Sequence, residues 1–479
     1  MTYNLLDEPW IPVLRVDGRT ARIGVKTALT EARNIRQISA PNPMDRFAII
    51  RFLLALLYWC EGSPSPERAN SDATLLSPQG LSKLDDKKED FELFGKDRRF
   101  YQFGGASNSL LLSANYLLHE IPTGTKVSHF RHSRDRVDGL CPACCAMGLV
   151  RLPVFTTEGG RSKGPCINRA PPIYAIPLGE SLAETLRLSW VPMDSLGHPA
   201  WEQPDVRLIQ GGSVTLLAGL TWLPRRVWLE EPATLEKCCI FCGRKEGLVL
   251  RTVFEGRGKT HPGTWHDPHV LSSVERGGAL KGLRGLDTVK RGDSAAGQWA
   301  SVVEALLSAQ TCHPNVVAPS GWFIVTFSTA RKDSYLEAVE WLMPSKLSPN
   351  TKESFVRSLK RWERRWDSPA LVKRLLPGAS EPQRNGETMR LRSLLDYVRP
   401  HVEQDVGRQA AAYLKWGEEE WKPSTESYQR MLRLVGEAMF PGRTILAVEM
   451  RKRLSEDSSD RTGGAKAKGR HAPKRRSRP

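Results

Sequence analysis

No stretch of this 479-residue chain is apolar for long enough to cross a bilayer. The strongest run, Phe47 to Trp59, falls short of the roughly 20 residues that a spanning helix needs and carries Arg51. It reads as a buried core helix. A secretory signal is missing as well, because Asp7, Glu8, Pro9 and Pro12 interrupt the opening. Gly258-Lys259-Thr260 has the ending of a phosphate-binding loop, but the leading glycine five positions earlier is Val253, so the backbone cradle cannot form. Nine cysteines without an export signal argue against a disulfide framework and for reduced thiols or a metal in a cytoplasmic protein. Acids are in deficit, 53 against 70 Lys and Arg, and the net charge of +17 favours acidic partners, nucleic acid before membrane. Seven of those charges are Lys466, Lys468, Arg470, Lys474, Arg475, Arg476 and Arg478 in the acid-free end from Gly463 to Pro479. Without them the remainder still carries +10.

The patterning predicts an α+β protein: an irregular mixed α/β domain over residues 1–346, an antiparallel four-helix bundle over 347–460 and a disordered basic tail over 461–479. Tyr3 to Leu14 followed by Asp17-Gly18 predicts two short strands and a tight turn. Asn42-Pro43 is a cap and first turn for a helix through Cys60, which Ser63 to Pro66 stop. Phe91 to Gln102 mixes aromatics with charges, either a surface segment with core anchors or a contact surface. Loops are expected from Leu110 to Arg151, an extended segment and short helix from Pro171, and strands over Gly247 to Phe254 and Trp322 to Phe327. Beyond Ser334 glutamate, arginine and leucine rise and apolar residues take helical spacing, as at Phe355, Leu359, Trp362 and Trp366.

Two Cys-x-x-Cys pairs, Cys141/Cys144 and Cys239/Cys242, supply the four thiolates of a tetrahedral structural zinc site. Filled by four sulfurs, such a site leaves no position for water and staples the zinc-linked loops without catalysing. Cys145 and Cys238 stand beside them as spare ligands. His261, His266 and His269, with Asp267, are a second metal candidate of the open, catalytic kind, weakened by Pro262, Gly263 and Pro268. Before the first pair lies a basic segment with Lys126, Arg131, Arg134, Arg136 and the flanking Arg151. Phe130 interrupts it, and Gly124 and Gly139 bracket it. Cations for phosphates and an aromatic for a base are the usual division of labour on nucleic acid. After the pair, Gly159, Gly160, Arg161, Lys163 and Gly164 form a segment able to bring backbone close to a groove.

In order along the chain, Asn4-Leu-Leu-Asp-Glu-Pro-Trp-Ile-Pro-Val13, Leu93-Phe-Gly-Lys-Asp-Arg-Arg-Phe-Tyr-Gln102, Leu140-Cys-Pro-Ala-Cys144, Gly160 to Tyr174 and Trp265-His-Asp-Pro-His269 resemble the CasA family, the large subunit of the type I-E CRISPR Cascade. The resemblance implies a non-catalytic protein of antiviral defence. It would hold the 5′ handle of a guide RNA, recognise the protospacer-adjacent motif in duplex DNA, help open the duplex, contact other Cascade subunits and dock a helicase-nuclease. Sequence reading is then left to the guide, as in related RNA-guided systems. By the same resemblance the guide-RNA loop falls on Val127 to Gly139 with Phe130 as its aromatic, and the minor-groove glycine loop on Gly159 to Gly164. A cationic finger lies between Val274 and Arg284, with Arg276 and Lys281 as candidates. The strand-separating wedge falls on Ser328, Thr329, Ala330 and Arg331. The family wedge commonly presents glutamine, which is lacking here, so Arg331 or Lys332 takes that role or the motif preference differs. A metal-dependent nuclease built on the histidines and a general RNA-binding scaffold are the alternatives.

Overall fold

A computed structural model describes residues 2–65, 67–68, 74–96, 98–103, 109–118, 139–155, 167–168, 172–202, 213–224, 226–255, 265–274, 280–282, 321–330 and 333–342, with backbone alone at 272–274, 280–282, 326–330 and 333–342. The chain divides into two compact units, Met1–Arg291 with Ser301–Lys346, and Gly292–Ala300 with Leu347–Pro479. All described elements belong to the first. The expected helical bundle and basic tail lie outside the described residues.

Asn4 makes the first turn. Its amide donates to the Lys88 carbonyl at 2.9 Å and to Glu92 at 2.8 Å, while its Oδ1 accepts the Leu6 N–H at 3.1 Å. Trp10, wholly buried, donates its indole N–H to the Leu5 carbonyl at 3.0 Å. Strand β1 (Ile11–Arg15) then reverses at Asp17-Gly18 into β2 (Thr20–Ile23), with Gly18 at φ 84°. That left-handed backbone is the one the Asp-Gly pair predicts. After helix α1 (Val25–Thr30), β3 (Ile35–Ile38) pairs antiparallel with the other edge of β1, giving the order β2-β1-β3.

Helix α2 (Pro43–Glu61) is the axis of the core. Asn42 caps it by accepting the Met44 N–H at 2.8 Å, and every residue from Met44 to Trp59 is buried. A helix apolar on all sides belongs in an interior, and the other elements pack around this one. Phe52 meets Phe100, Tyr101 and Trp201 with ring centroids 5.4 to 6.3 Å apart, so the aromatics of Phe91 to Gln102 are core anchors, while Lys96 and Arg98 stay exposed.

Helix α3 (Pro78–Asp86), strand β4 (Ser109–Ser113) and helix α4 (Pro142–Arg151) follow. The expected loops between Leu110 and Arg151 thus give way at both ends: β4 pairs with a distant strand and the cysteine knuckle opens a helix. Then come β5 (Ile173–Leu178), α5 (Leu182–Ser189), α6 (Leu216–Leu220), β6 (Val227–Leu229), β7 (Arg251–Glu255), β8 (Ser272–Val274), β9 (Leu280–Gly282), β10 (Gly321–Ala330) and β11 (Asp333–Leu342). The sheets are antiparallel, in the orders β4-β7-β6, β11-β10-β5 and β8-β9. The change of composition beyond Ser334 therefore begins with a strand, because β11 pairs with the adjacent β10 from Gly321↔Leu342 to Ala330↔Asp333 and cross-strand pairing overrides local helix preference. No helix among the described residues is long and apolar enough to cross a membrane.

Candidate metal centre

The two cysteine pairs, 95 residues apart between Cys144 and Cys239, come together through a pair of backbone bridges. Leu140 exchanges hydrogen bonds with Val249 at 3.0 and 2.8 Å, Leu248 pairs with Ala233, and the Ile240 N–H donates to the Gly139 carbonyl at 3.2 Å. Gly139 permits this approach, since a Cβ there would stand 2.9 Å from both the Val249 carbonyl oxygen and Leu250 Cδ2. Cys141 caps α4, and Pro142 occupies its first turn, where a missing N–H costs nothing. Cys239 and Cys242 sit on a turn closed by the Gly243 N–H on the Cys239 carbonyl at 2.9 Å.

Cys141 Sγ lies 3.5 Å from Cys242 Sγ, and Cys144 Sγ lies 3.7 Å from Cys239 Sγ; all four sulfurs fall within 4.8 Å of one another. Tetrahedral zinc with Zn–S bonds of about 2.3 Å places its sulfurs about 3.8 Å apart. The set fits that ion. Its protons tell the same story. Hydrogen bonds from Cys141 and Cys144 pull the Cys242 thiol down to about 6, and the same donors hold Cys239 well below the ordinary range. Cys144 is pushed well above it by its hydrogen-bonding contacts with Cys141, Cys239 and Cys242 and by burial; for Cys141 the contact with Cys144 lowers the thiol, but those with Cys239 and Cys242 and burial outweigh it. Thiolates packed this closely repel one another, and a divalent cation offsets that charge as it displaces the protons. Neither spare joins the set: Cys145 is buried with its Sγ 3.9 Å from the Leu140 carbonyl, and Cys238 is exposed.

Helix α4 carries this clasp at its start and a buried ion pair at its end. Arg151, expected on the basic surface, is instead wholly buried, and its guanidinium makes two hydrogen bonds to Asp45 of α2, that from Nη2 to Oδ2 measuring 2.7 Å. The reason is position, because the last turn of a buried helix faces the core helix and not solvent. Lys126, Phe130, Arg131, Arg134, Arg136, Gly159, Gly160, Arg161, Lys163, Gly164, Arg276 and Arg331 lie outside the described residues. Their flanks do not. The basic segment leaves after Leu118, beside Leu117, against which Gly148 of α4 packs, and returns at Gly139 in the clasp. The glycine segment leaves after Phe155, just past α4, and returns at Ile167, whose N–H donates to the Pro153 carbonyl at 3.4 Å. The basic segment is rooted at the clasp and beside Gly148, and the glycine segment just past Arg151, so both are rooted on one ten-residue helix about 15 Å long. Lys281 stands in β9, opposite Ser273, and Ser328, Thr329 and Ala330 end β10.

The histidine candidates do not converge on an open site. His261 lies outside the described residues and His266 is exposed. His269 is buried, with its Nδ1 accepting from Arg51 Nη1 at 3.0 Å, and Arg51 Nη1 also donates to Asp267 at 2.7 Å. An Nδ1 that accepts from a guanidinium offers no lone pair to a metal. Burial tends to raise the Asp267 carboxyl, but Arg51 and the His269 hydrogen bond hold it well below the carboxylate range. Burial, helped by Arg51 and opposed by Asp267, pushes His269 below its ordinary value and keeps it neutral. The unfolded chain protonates this imidazole below about pH 6.5 while the folded chain resists, so its stability contribution is present above that pH and is lost as the pH falls, by at most about 1.4 kcal/mol per unit. His269→Asn, which keeps an acceptor near Nδ1, is expected to flatten the loss between about pH 7 and 5 in urea unfolding. A slope unchanged from wild type would show that His269 is already charged in the fold.

Sequence motifs flagged none of these ion pairs as such. The available signal was the charges of Asp45, Arg46 and Arg51 inside a helix with no polar face, since a buried charge requires a partner.

Residues 4–287, more than half of the chain, match the family model described as CRISPR-associated protein Cse1. A CasA/Cse1 protein of Thermus thermophilus is 29% identical over 222 residues, an alignment spanning 43% of each chain. Among solved structures, a CRISPR-associated protein of Thermus thermophilus has a TM-score of 0.60 at 21% identity, covering 97% of this chain and 96% of its own. Thermobifida fusca Cse1 scores 0.62 at 17% identity, covering 95% and 98%. A chain of a CRISPR RNA-guided surveillance complex scores 0.63 at 14% identity, covering 95% and 99%.

Proposed function

This chain belongs to the CRISPR-associated Cse1 (CasA) family, and from that membership we propose that it is the non-catalytic large subunit of a type I-E RNA-guided surveillance complex of the cytoplasm. In this reading it holds the 5′ handle of the guide RNA, recognises the protospacer-adjacent motif in duplex DNA, aids duplex opening, and docks a helicase-nuclease alongside the other subunits. The residues before 347 carry recognition, residues 347–460 form a four-helix bundle, and the tail adds sequence-independent attraction to DNA. Zinc in the cysteine quartet supplies a structural staple. The observation that carries the reading is α4, on which the segment assigned to guide RNA and the segment assigned to duplex are both rooted. Phe130 with Lys126, Arg131, Arg134 and Arg136 would meet RNA; Gly159 to Gly164, Arg276, Lys281 and the end of β10 through Arg331 would meet duplex. Minor-groove readout is degenerate, so backbone and a few donors there tolerate several motifs.

The test is binding of motif-bearing and motif-scrambled duplexes by the reconstituted complex. Motif-dependent binding is expected only with the guide-RNA complex present, and no cleavage by this chain alone. Hydrolysis by the purified protein, abolished by His266→Ala, would support a nuclease instead. Binding indifferent to the motif would support a general RNA scaffold. Deleting Gly463 to Pro479 is expected to weaken binding to both duplexes alike, most visibly at low salt.

A further inference from the structure

The buried ion pair of Arg51 and Asp267 does more than neutralise a core arginine. Asp267 Oδ1 accepts from Arg51 Nη1 at 2.7 Å and from the His269 backbone N–H at 3.0 Å, and its Oδ2 accepts from the Asn168 amide at 2.8 Å. Asn168 also donates to the Tyr174 hydroxyl at 2.9 Å. Around these side chains the backbone closes as well. Ala175 N–H donates to the His269 carbonyl at 2.8 Å, Leu271 N–H to the Ile173 carbonyl at 3.0 Å, and Tyr174 bridges Val270.

One carboxylate therefore joins three parts of the chain far apart in sequence. Asn168 stands where the glycine segment re-enters the described fold. Asp267 stands five residues before β8, the first strand of the hairpin that carries Lys281. Tyr174 lies in β5, paired with Val325 of β10, the strand that runs out to Ser328, Thr329 and Ala330. The roots of the three segments assigned to duplex DNA meet at this carboxylate, while the segment assigned to guide RNA is rooted elsewhere, at Leu118 and the cysteine clasp.

We propose that Asp267, held by Arg51 and read by Asn168, is a positioning residue for duplex-motif discrimination, fixing the roots of the duplex-facing segments relative to one another and leaving guide-RNA binding to the clasp. This inference rests on the functional reading above and deepens it. An exposed hydrogen bond would be dispensable; one between an amide and a buried carboxylate is directional and strong enough to fix a loop root.

The test uses Asn168→Ala, which removes the amide and leaves the Arg51–Asp267 pair in place, in the reconstituted complex. The readouts are the affinity ratio between motif-bearing and scrambled duplexes, and the affinity for guide RNA carrying its 5′ handle. The ratio is expected to fall about tenfold, the size of one charge-assisted hydrogen bond, with guide-RNA affinity within about twofold of wild type. Tyr174→Phe, which keeps the ring and the Asn168–Asp267 bond, is expected to retain most of the discrimination. An unchanged ratio in Asn168→Ala beside a discriminating wild type overturns the inference and leaves the functional reading standing. Equal losses of guide RNA and duplex overturn it too, because they would mark a general structural role. A wild-type complex that ignores the motif sinks the functional reading and the inference with it.

Discussion

Cys239→Ser is expected to purify without zinc and to unfold with a free energy lower by about 5 kcal/mol or more, with a chelator bringing wild-type protein toward the same value. Two observations set the size. The four sulfurs already stand at the spacing of a tetrahedral ion, and three of the four cysteines are buried. Replacing Cys239 leaves two buried thiols and the half-buried Cys242 beside a weaker oxygen ligand. Structural zinc in small domains is worth about 10–16 kcal/mol of apparent folding energy, an upper bound here because α2 and its aromatic neighbours hold much of the fold without it. The exposed neighbour supplies the control: Cys238→Ser should keep one zinc per chain and the wild-type melting curve. Since Gly139 hangs from this clasp and α4 starts in it, guide-RNA and duplex binding should decline together. Metal content and melting equal to wild type in Cys239→Ser would remove zinc from the account.

The signals that survived from sequence to structure were local ones. Asn42-Pro43 announces a helix start, Asp17-Gly18 a turn, and each Cys-x-x-Cys two ligands on one short stretch, because capping, φ and ligand spacing are set within a few residues. What was hidden depends on partners far away. Arg51 reads as an awkward charge in an apolar run until Asp267, 216 positions on, arrives beside it. Arg151 looks like one more cation beside a basic segment, and nothing nearby in sequence points to Asp45, 106 positions back. Cys-Pro-Ala-Cys suggests an isolated knuckle, yet Pro142 suits a first helical turn and Gly148 lets the helix pack onto Leu117. β11 differs, since its partner β10 is the neighbouring strand: its glutamates and leucines suit a helix by local preference, and cross-strand pairing decides otherwise. His269 was hidden for a related reason: spacing in sequence cannot show that it faces a guanidinium.

Asp45→Ala is expected to cost about 3–5 kcal/mol in urea unfolding, because it leaves the Arg151 guanidinium in the core without its carboxylate. Asp45→Leu combined with Arg151→Met should recover most of that loss, since two apolar side chains of similar volume escape the desolvation that the ion pair must offset. The comparison separates two roles. If the pair only stabilises, the double variant should match wild type in every assay. The geometry argues for more: two parallel hydrogen bonds fix the rotation of α4 about its own axis, where apolar contacts tolerate a range of rotations. Rotation matters because α4 presents the cysteine clasp at one end and delivers the chain into Pro153, Val154 and Phe155 at the other. The double variant should therefore keep its zinc and its stability yet bind motif-bearing duplex about tenfold more weakly, a loss of the order of one charge-assisted hydrogen bond. Wild-type duplex affinity in a stable double variant would mean that packing alone orients the helix, and the pair would then be a costly way of burying two charges.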